Sequence, residues 1–270
     1  MLTSAKVSLM SPPKQIFDPS AIRAHRRRAK QIFSSHNFLH REIKNRLEDR
    51  LKDIRLDFKC PIAIDAFDDF FGLTDKLDLV GNCADLITCT GNIHWANDLP
   101  GILIQIRQAL KPNGLFLAAF PGGETLGELR QSFIEAESSL TGGASPRVSP
   151  FVDLADAAAL LQRTGFKLPV ADLDRIIVTY QNVDSLMFDL RGMGETNSLR
   201  DRKKYFSRKD VFFEMKRLYR KYFSDKEQRI RATFDIVFLT GWSPHSSQPQ
   251  PLRPGSGLKN LSEVLKNQIN

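Results

Sequence analysis

The sequence predicts an α/β fold built on a parallel sheet. Short apolar runs alternate along the chain with helical patterns, which is the order that strand–helix–strand units produce. Residues 115–120 are continuously apolar, as expected of a strand that is covered on both faces. Residues 98–110 follow helical spacing, with Pro100 in the first turn and a stop signal at residues 111–114.

The composition places the chain among ordinary globular proteins. Hydrophobic residues make up 41% and charged residues 26% of 270 residues, so one large domain with appendages can bury a core. No stretch approaches the roughly 18 apolar residues that a membrane span needs. The three cysteines include no C-x-x-C pair and the histidines form no ligand pattern, which favours neither a disulfide framework nor a metal site. We expect a cytoplasmic protein, with the mitochondrial matrix as the alternative.

The remaining elements divide the chain into predicted units. Residues 20–54 read as two helices, with Asn37 as the N-cap of the second. A short strand at 62–64 ends at Asp65, and two later strands at 173–180 and 230–242 are expected to pair antiparallel. The predicted units are a flexible tail (1–15), basic N-terminal helices (16–58), an α/β domain (59–182 and 229–242), a helical insert (183–228) and a Pro-rich tail (243–270).

The net charge of +8 is unevenly placed, in basic blocks at residues 23–30 and 200–221. Such blocks bind phosphates or acidic proteins, although a solvated helix face is the more ordinary interpretation. On the first helix, one stripe is formed by Arg23, Arg26, Arg27 and Lys30. No RNA-recognition or helix-turn-helix pattern supports a nucleic-acid partner.

Several motifs, taken in order, resemble class I S-adenosylmethionine (SAM) methyltransferases. The resemblance is to the BioC-like subgroup that includes the mitochondrial complex I assembly-factor hydroxylase and its alphaproteobacterial relatives. The matching segments are residues 97–100, 110–117, 122–130, 142–151, 160–166 and 189–197, and the tail Gly241-Trp-Ser-Pro-His-Ser-Ser-Gln248.

This resemblance implies a Rossmann-like methyltransferase fold, SAM as the cofactor and one of two reactions. One is methylation of a carboxylate on an acyl carrier. The other, in the branch that the motifs match better, modifies an arginine of a respiratory complex I subunit, which implies a protein partner. Two further hypotheses stay open: a catalytically degenerate assembly factor or chaperone that binds a protein, and an RNA-binding protein that uses residues 23–30.

The chain departs from this family at its first strand. The family's strand normally ends in a loop of the form Asp-x-Gly-x-Gly, in which glycine lets the backbone approach the cofactor. Here Asp65 is followed by Ala66 and Phe67, and no glycine occurs before Gly72. Residues 60–84 are also too few for the strand–helix units expected there. The sequence therefore predicts a truncated N-terminal half, with weak or lost SAM binding.

The candidate site residues follow the carboxyl ends of the strands, where α/β proteins bind ligands. In methyl transfer from a sulfonium the substrate is the nucleophile, and the protein need not supply a particular nucleophile or base. No catalytic residue is therefore assigned. Each candidate also has a structural interpretation, such as a loop aspartate for Asp65, a packing role for Trp95 or a favourable helix-terminus charge for Glu124. The predicted cofactor residues are Asp65, Thr90, Gly91, Asn92 and His94, and the predicted substrate residues are Trp95, Glu124, Arg191, Glu195 and Asn197.

Overall fold

The computed structural model describes residues 15–65, 76–91, 93–249 and 255–256. The described strands form one five-stranded sheet in the order β1-β2-β3-β5-β4. Strands β1 to β3 are parallel, and β5 runs antiparallel to both β3 and β4. The strands are β1 (Pro61–Ile64), β2 (Ala84–Thr90), β3 (Leu110–Gly122), β4 (Lys167–Tyr180) and β5 (Ile230–Trp242). The predicted α/β fold and its antiparallel pair are confirmed.

The helices cover both faces of this sheet and supply the insert between β4 and β5. They are α1 (Pro19–Ala29), α2 (Phe33–His36), α3 (Phe38–Lys52), α4 (Leu99–Ala109), α5 (Gly127–Thr141), α6 (Leu154–Arg163), α7 (Val183–Gly192) and α8 (Lys209–Phe223). Helices α7 and α8 form the predicted helical insert. No described helix combines the length and apolar character of a membrane span.

Strand β3 divides the core into two layers. On one face, Leu115 and Leu117 join a cluster with side chains of α3, α5, α7 and α8. On the other, Phe116 and Phe120 pack with apolar side chains of α4 and α6. Both sets are buried, so the continuously apolar sequence of this strand is explained by cover on both faces.

The N-terminal region contains three helices instead of the two that the pattern predicts. Asp18 caps α1, since its carboxylate accepts the backbone N–H groups of Ser20 and Ala21. The predicted capping by Asn37 is wrong, because its side chain makes no capping hydrogen bond. Its backbone (φ −84°, ψ 18°) lies between two successive helices and not in the extended region that a capping side chain needs.

The truncated N-terminal half is visible in the order of the strands. Strand β1 lies at the edge of the described sheet and pairs with β2 alone. The described part of the link to β2, residues 76–83, contains no helix or strand. Ala66, Phe67 and Gly72 lie outside the described residues. The described sheet thus has only one short strand, β1, before β2.

A buried carboxylate ties two long loops to α5. Glu137 accepts hydrogen bonds from the backbone and hydroxyl of Ser145 at 2.6 Å, and it pairs with Arg147 and Lys203. Burial opposes ionisation of Glu137, but the hydrogen bonds from Ser145, Arg147 and Lys203 outweigh it and lower its pKa to about 2. The ion cluster holds the loop after α5 and the loop before α8 against one helix.

A close contact also joins the N-terminal helices to the insert. Gly192, the last residue of α7, lies against the His36 ring, and a Cβ at this position would come within 2.4 Å of it. The ring cannot move away freely, because His36 Nδ1 lies 2.7 Å from Asp189 Oδ1. Glycine is therefore required here for packing.

Glu137→Gln is expected to destabilise the protein by about 3 kcal/mol at pH 7, because Arg147 and Lys203 lose their buried anion. The folded-state pKa lies below the ordinary 4.5, so this contribution is complete above pH 4.5 and is lost as the pH falls towards 2. Urea unfolding at several pH values measures both effects. Glu135→Gln on the same helix should change stability by less than about 0.5 kcal/mol. An undiminished difference near pH 2.5 would contradict this account.

Gly192→Ala is expected to cost about 1–2 kcal/mol of unfolding free energy. Overpacking against His36 costs about 1–3 kcal/mol, and the better helix propensity of alanine returns at most about 1 kcal/mol. Gly143→Ala is the matched control, since a Cβ there meets no atom within 4 Å. Urea unfolding of both variants tests the contact. Equal stabilities would show that the His36 ring moves aside without cost.

Candidate functional site

The carboxyl ends of β2 and β3 open onto a cavity of 460 Å³. The insert covers it through α7 and the loop that follows, while α5 and the loop after α5 form the other walls. Most of the lining is apolar or aromatic, as in the binding cavities of many α/β proteins. The lining includes Leu39, Trp95, Leu129, Phe133, Phe151 and Phe188.

A carboxylate and two imidazoles meet at this cavity. His94 Nε2 lies 3.1 Å from one oxygen of Glu195, and His40 Nε2 lies 3.7 Å from the other. The His94 side chain is only 2% exposed and that of Glu195 is 17% exposed. Both His94 and Glu195 are lining residues of the cavity.

Two glycines with left-handed backbone angles position His94 and Glu195. Gly91 (φ +72°) turns the chain after β2, and its N–H donates to Ala119 of β3 at 2.8 Å. Gly194 (φ +79°) turns the chain after α7, and the next N–H, that of Glu195, donates back to Leu190 at 2.9 Å. Such a turn is typical of a helix C-terminus and favours glycine. The carboxylate thus comes from the insert and His94 from the sheet.

Glu195 carries a negative charge beside the two imidazoles. Burial opposes ionisation of Glu195, but attraction and hydrogen bonds from His94 and His40 outweigh it, so its pKa lies well below the ordinary range. Glu195 is therefore an anion at neutral pH. The other ring nitrogen of His94, Nδ1, is buried without a hydrogen-bond partner among the described residues. An anion facing aromatic walls is suited to binding a cationic group.

The predicted cofactor residues do not all reach this cavity. His94 lines it, whereas Asp65, Thr90 and Gly91 are not among its lining residues. Asp65 is exposed at the end of the edge strand β1, and Thr90 is buried at the end of β2. Asn92 lies outside the described residues. The cofactor roles of these residues stay predictions.

Four of the five predicted substrate residues line the cavity. Trp95 packs edge-on against Phe17 at a ring distance of 5.2 Å, and Arg191 is exposed. Asn197 links the insert to the loop after α5, since its amide donates to the backbone oxygen of Pro146 at 2.8 Å. These three residues line the cavity together with Glu195. Their substrate roles stay predictions.

Glu124 is the substrate candidate that the structure places elsewhere. Its side chain is exposed and is not among the lining residues of the cavity. Its backbone N–H donates to the buried carboxylate of Asp235 at 3.0 Å. The turn at Gly123 (φ +52°) passes close to Asp235, which directs the next side chain towards solvent.

Other parts of the site have little local signal in the sequence. His40 lies on α3, far along the chain from Glu195, and its spacing to other histidines indicates no shared role. Leu126 lines the cavity with a left-handed backbone (φ +55°), which is a strained conformation for a bulky side chain. Its N–H donates to Thr233 at 2.8 Å, which helps to hold this conformation. The described residues include no group of three metal-ligand side chains placed to hold an ion.

The chain is similar in sequence to several known proteins. No family model matches the chain. The mitochondrial arginine hydroxylase NDUFAF5 of Dictyostelium discoideum is 41% identical over 194 residues, which cover 71% of this chain and 44% of that protein. A candidate methyltransferase of Rickettsia prowazekii is 32% identical over 159 residues, which cover 58% of this chain and 70% of that protein.

A solved structure of a candidate methyltransferase from Bacillus halodurans aligns with 74% of this chain and 99% of its own. Its TM-score is 0.46 and its identity 8%, so the assignment rests on the relatives in sequence. The chain spans about half the length of the curated relatives that it matches at about 40% identity. Because the Rickettsia relative is more than 30% identical and is covered to 70% of its length, the chain belongs to the methyltransferase family of that relative, and its motif series resembles the class I SAM-dependent branch.

Proposed function

We propose that the cavity binds an arginine side chain of a protein partner. The observation that carries this proposal is the ionised Glu195, which faces an apolar cavity from a buried position. A guanidinium is the cation best suited to such a place, because it pairs with a carboxylate through two hydrogen bonds and stacks on aromatic rings. Trp95, Phe151 and Phe188 supply rings in the same cavity.

The relatives support this assignment of the ligand. Those of about 40% identity are named arginine hydroxylases, and we infer that this chain also acts on or holds an arginine. The sequence resemblance implies a respiratory complex I subunit as the partner. The mitochondrial names of the relatives support the matrix as a location, beside the cytoplasm that the sequence predicts.

A carboxylate on an acyl carrier is the weaker candidate ligand. Arg191, which is exposed and lines the cavity, is compatible with such an anion. Glu195 is the more buried of the two and carries a negative charge. Bringing a second carboxylate beside it places like charges together in a region of low dielectric, which costs free energy.

The described residues do not supply a complete SAM site. Dinucleotide and related ligands of open α/β sheets bind at the point where the strand order reverses, between strands on both sides. Here β1 is the edge of the described sheet, so the crevice at its carboxyl end has one wall, and Asp65 there is exposed. The sequence after Asp65 also lacks the glycine loop. We therefore propose that SAM binding is weakened, and SAM-dependent methylation by this chain stays a hypothesis.

Glu195→Gln is expected to weaken binding of N-acetylarginine amide at least tenfold, about 1.4 kcal/mol, because the amide cannot neutralise the guanidinium. Fluorescence of Trp95, which lines the cavity, reports the titration. Glu48→Gln, an exposed change on α3, is the matched control and should bind as the wild type does.

A second ligand keeps this test independent of folding in the variant. N-acetylcitrulline amide has nearly the shape of the arginine compound but no charge. Wild-type protein should bind it at least tenfold more weakly than N-acetylarginine amide. Equal affinities for the two ligands would show that Glu195 does not contribute to the recognition of arginine.

SAM is expected to bind at least tenfold more weakly than it binds a relative with the complete Asp-x-Gly-x-Gly loop, a difference of about 1.4 kcal/mol or more. The physical reason is the crevice with one wall, together with side chains where bare backbone is needed. Calorimetry of the full chain with SAM and with its demethylated product gives both constants. Low-micromolar affinity for SAM would restore a complete cofactor site.

A further inference from the structure

Three aromatic side chains project from the insert at the start of α8. Phe206 is fully exposed (102%), and Tyr205 and Phe213 are 72% and 71% exposed. Large apolar side chains that cluster in the open mark contact sites with other surfaces. We call residues 204–213 the aromatic rim. These three side chains do not line the 460 Å³ cavity, although Phe212 of the same segment does.

The aromatic rim lies in the most basic stretch of the chain. Residues 200–221 contain ten lysines and arginines against three acidic residues, a local charge of +7, while the whole chain carries +8. Some of these cations are neutralised, since Arg208 pairs with Asp210 and Lys216 pairs with Asp184. Lys204 and Lys209, which flank the exposed rings, make no ion pair with any described residue.

The rim is held in place from both ends. Before it, Arg202 pairs with Asp18 at 3.0 Å and Lys203 with Glu137 at 3.0 Å. At its other end, Val211 is buried and Met215, the next turn of α8, packs in the core. Two loop residues and one helical turn separate Phe206 from Phe213, so their Cα atoms lie within about 17 Å of each other. The three rings and the two lysines therefore lie on one short segment that is anchored at both ends.

We propose that the aromatic rim docks this protein on an anionic lipid bilayer. Aromatic tips beside lysines are the composition of interfacial anchors, in which the rings enter the headgroup region and each cation contributes about 1 kcal/mol near a negatively charged surface. Charge complementarity selects anionic lipids over neutral ones. The helix lies on the bilayer and does not span it.

Projection of the rings favours a bilayer over a nucleic acid or a protein. A nucleic-acid strand is bound along a basic groove with rings that stack its bases, whereas Phe206 retains its whole surface outside any groove. A protein partner would have to bring its own pocket for each ring. A bilayer surface accepts projecting tips without a preformed pocket.

The test is flotation of the full chain with vesicles at 0.1 M salt. Vesicles of phosphatidylcholine alone are compared with vesicles that contain 30% phosphatidylglycerol. The wild type should float with the anionic vesicles only, and 0.5 M salt should weaken binding because it screens the lysines. Phe206→Ser with Phe213→Ser should weaken binding at least fivefold, as should Lys204→Gln with Lys209→Gln.

Matched controls lie elsewhere on the surface. Val80→Ser with Ile177→Ser removes two exposed apolar side chains outside the insert, and Lys59→Gln with Lys44→Gln removes two exposed cations. Both pairs should bind vesicles as the wild type does. The single change Phe206→Ser repeats the test at a fully exposed position, where folding is not at risk.

Three results would overturn the proposal. They are failure of the wild type to float with anionic vesicles, unchanged flotation of both rim variants, and equal loss of flotation in the control variants. Binding of bulk RNA that is lost in the aromatic variant, without vesicle binding, would assign the rim to nucleic acid. Capture of an acidic protein under the same conditions, again without vesicle binding, would assign it to a protein.

Discussion

Burial of β3 on both faces is the constraint on which the rest of the structure depends. Phe116 and Leu117 point into different layers of core, and each layer needs its own cover of helices. Helices α4 and α6 cover one face, while α3, α5 and the insert cover the other. The cavity lies where the second cover meets the carboxyl end of the strand, as ligand sites of α/β proteins commonly do.

The charge in this cavity is stable only because other elements support it. An unpaired carboxylate in an apolar place would take up a proton. Glu195 stays ionised because His94 comes from the sheet side and His40 from an N-terminal helix. Opening of the insert would separate the carboxylate from both imidazoles. The insert and the sheet are thus coupled through electrostatics as well as through packing.

The position of β1 at the edge of the described sheet affects the two sides of the site differently. The cavity depends on β2, β3, β5 and the insert, all of which the described sheet retains. The cofactor crevice of the family depends on strands at both sides of the first strand, and β1 is an edge of the described sheet. The proposed recognition of an arginine side chain therefore rests on elements that the structure describes, whereas the proposed weakening of SAM binding rests on the edge at β1.

Local patterns in the sequence were enough to predict the strands, the parallel order, the antiparallel pair and the helical insert. Apolar runs and helical periods reflect burial and hydrogen bonding within one segment, so they can be seen without tertiary information. The sequence also lacks the expected glycine loop after Asp65, and its resemblance to the family made His94 and Glu195 candidate site residues. Tertiary structure alone decided that these two meet with His40, that Glu124 faces solvent and that Asn37 caps no helix. Contacts between distant segments, and backbone angles between adjacent helices, depend on how the whole chain packs, which no local pattern encodes.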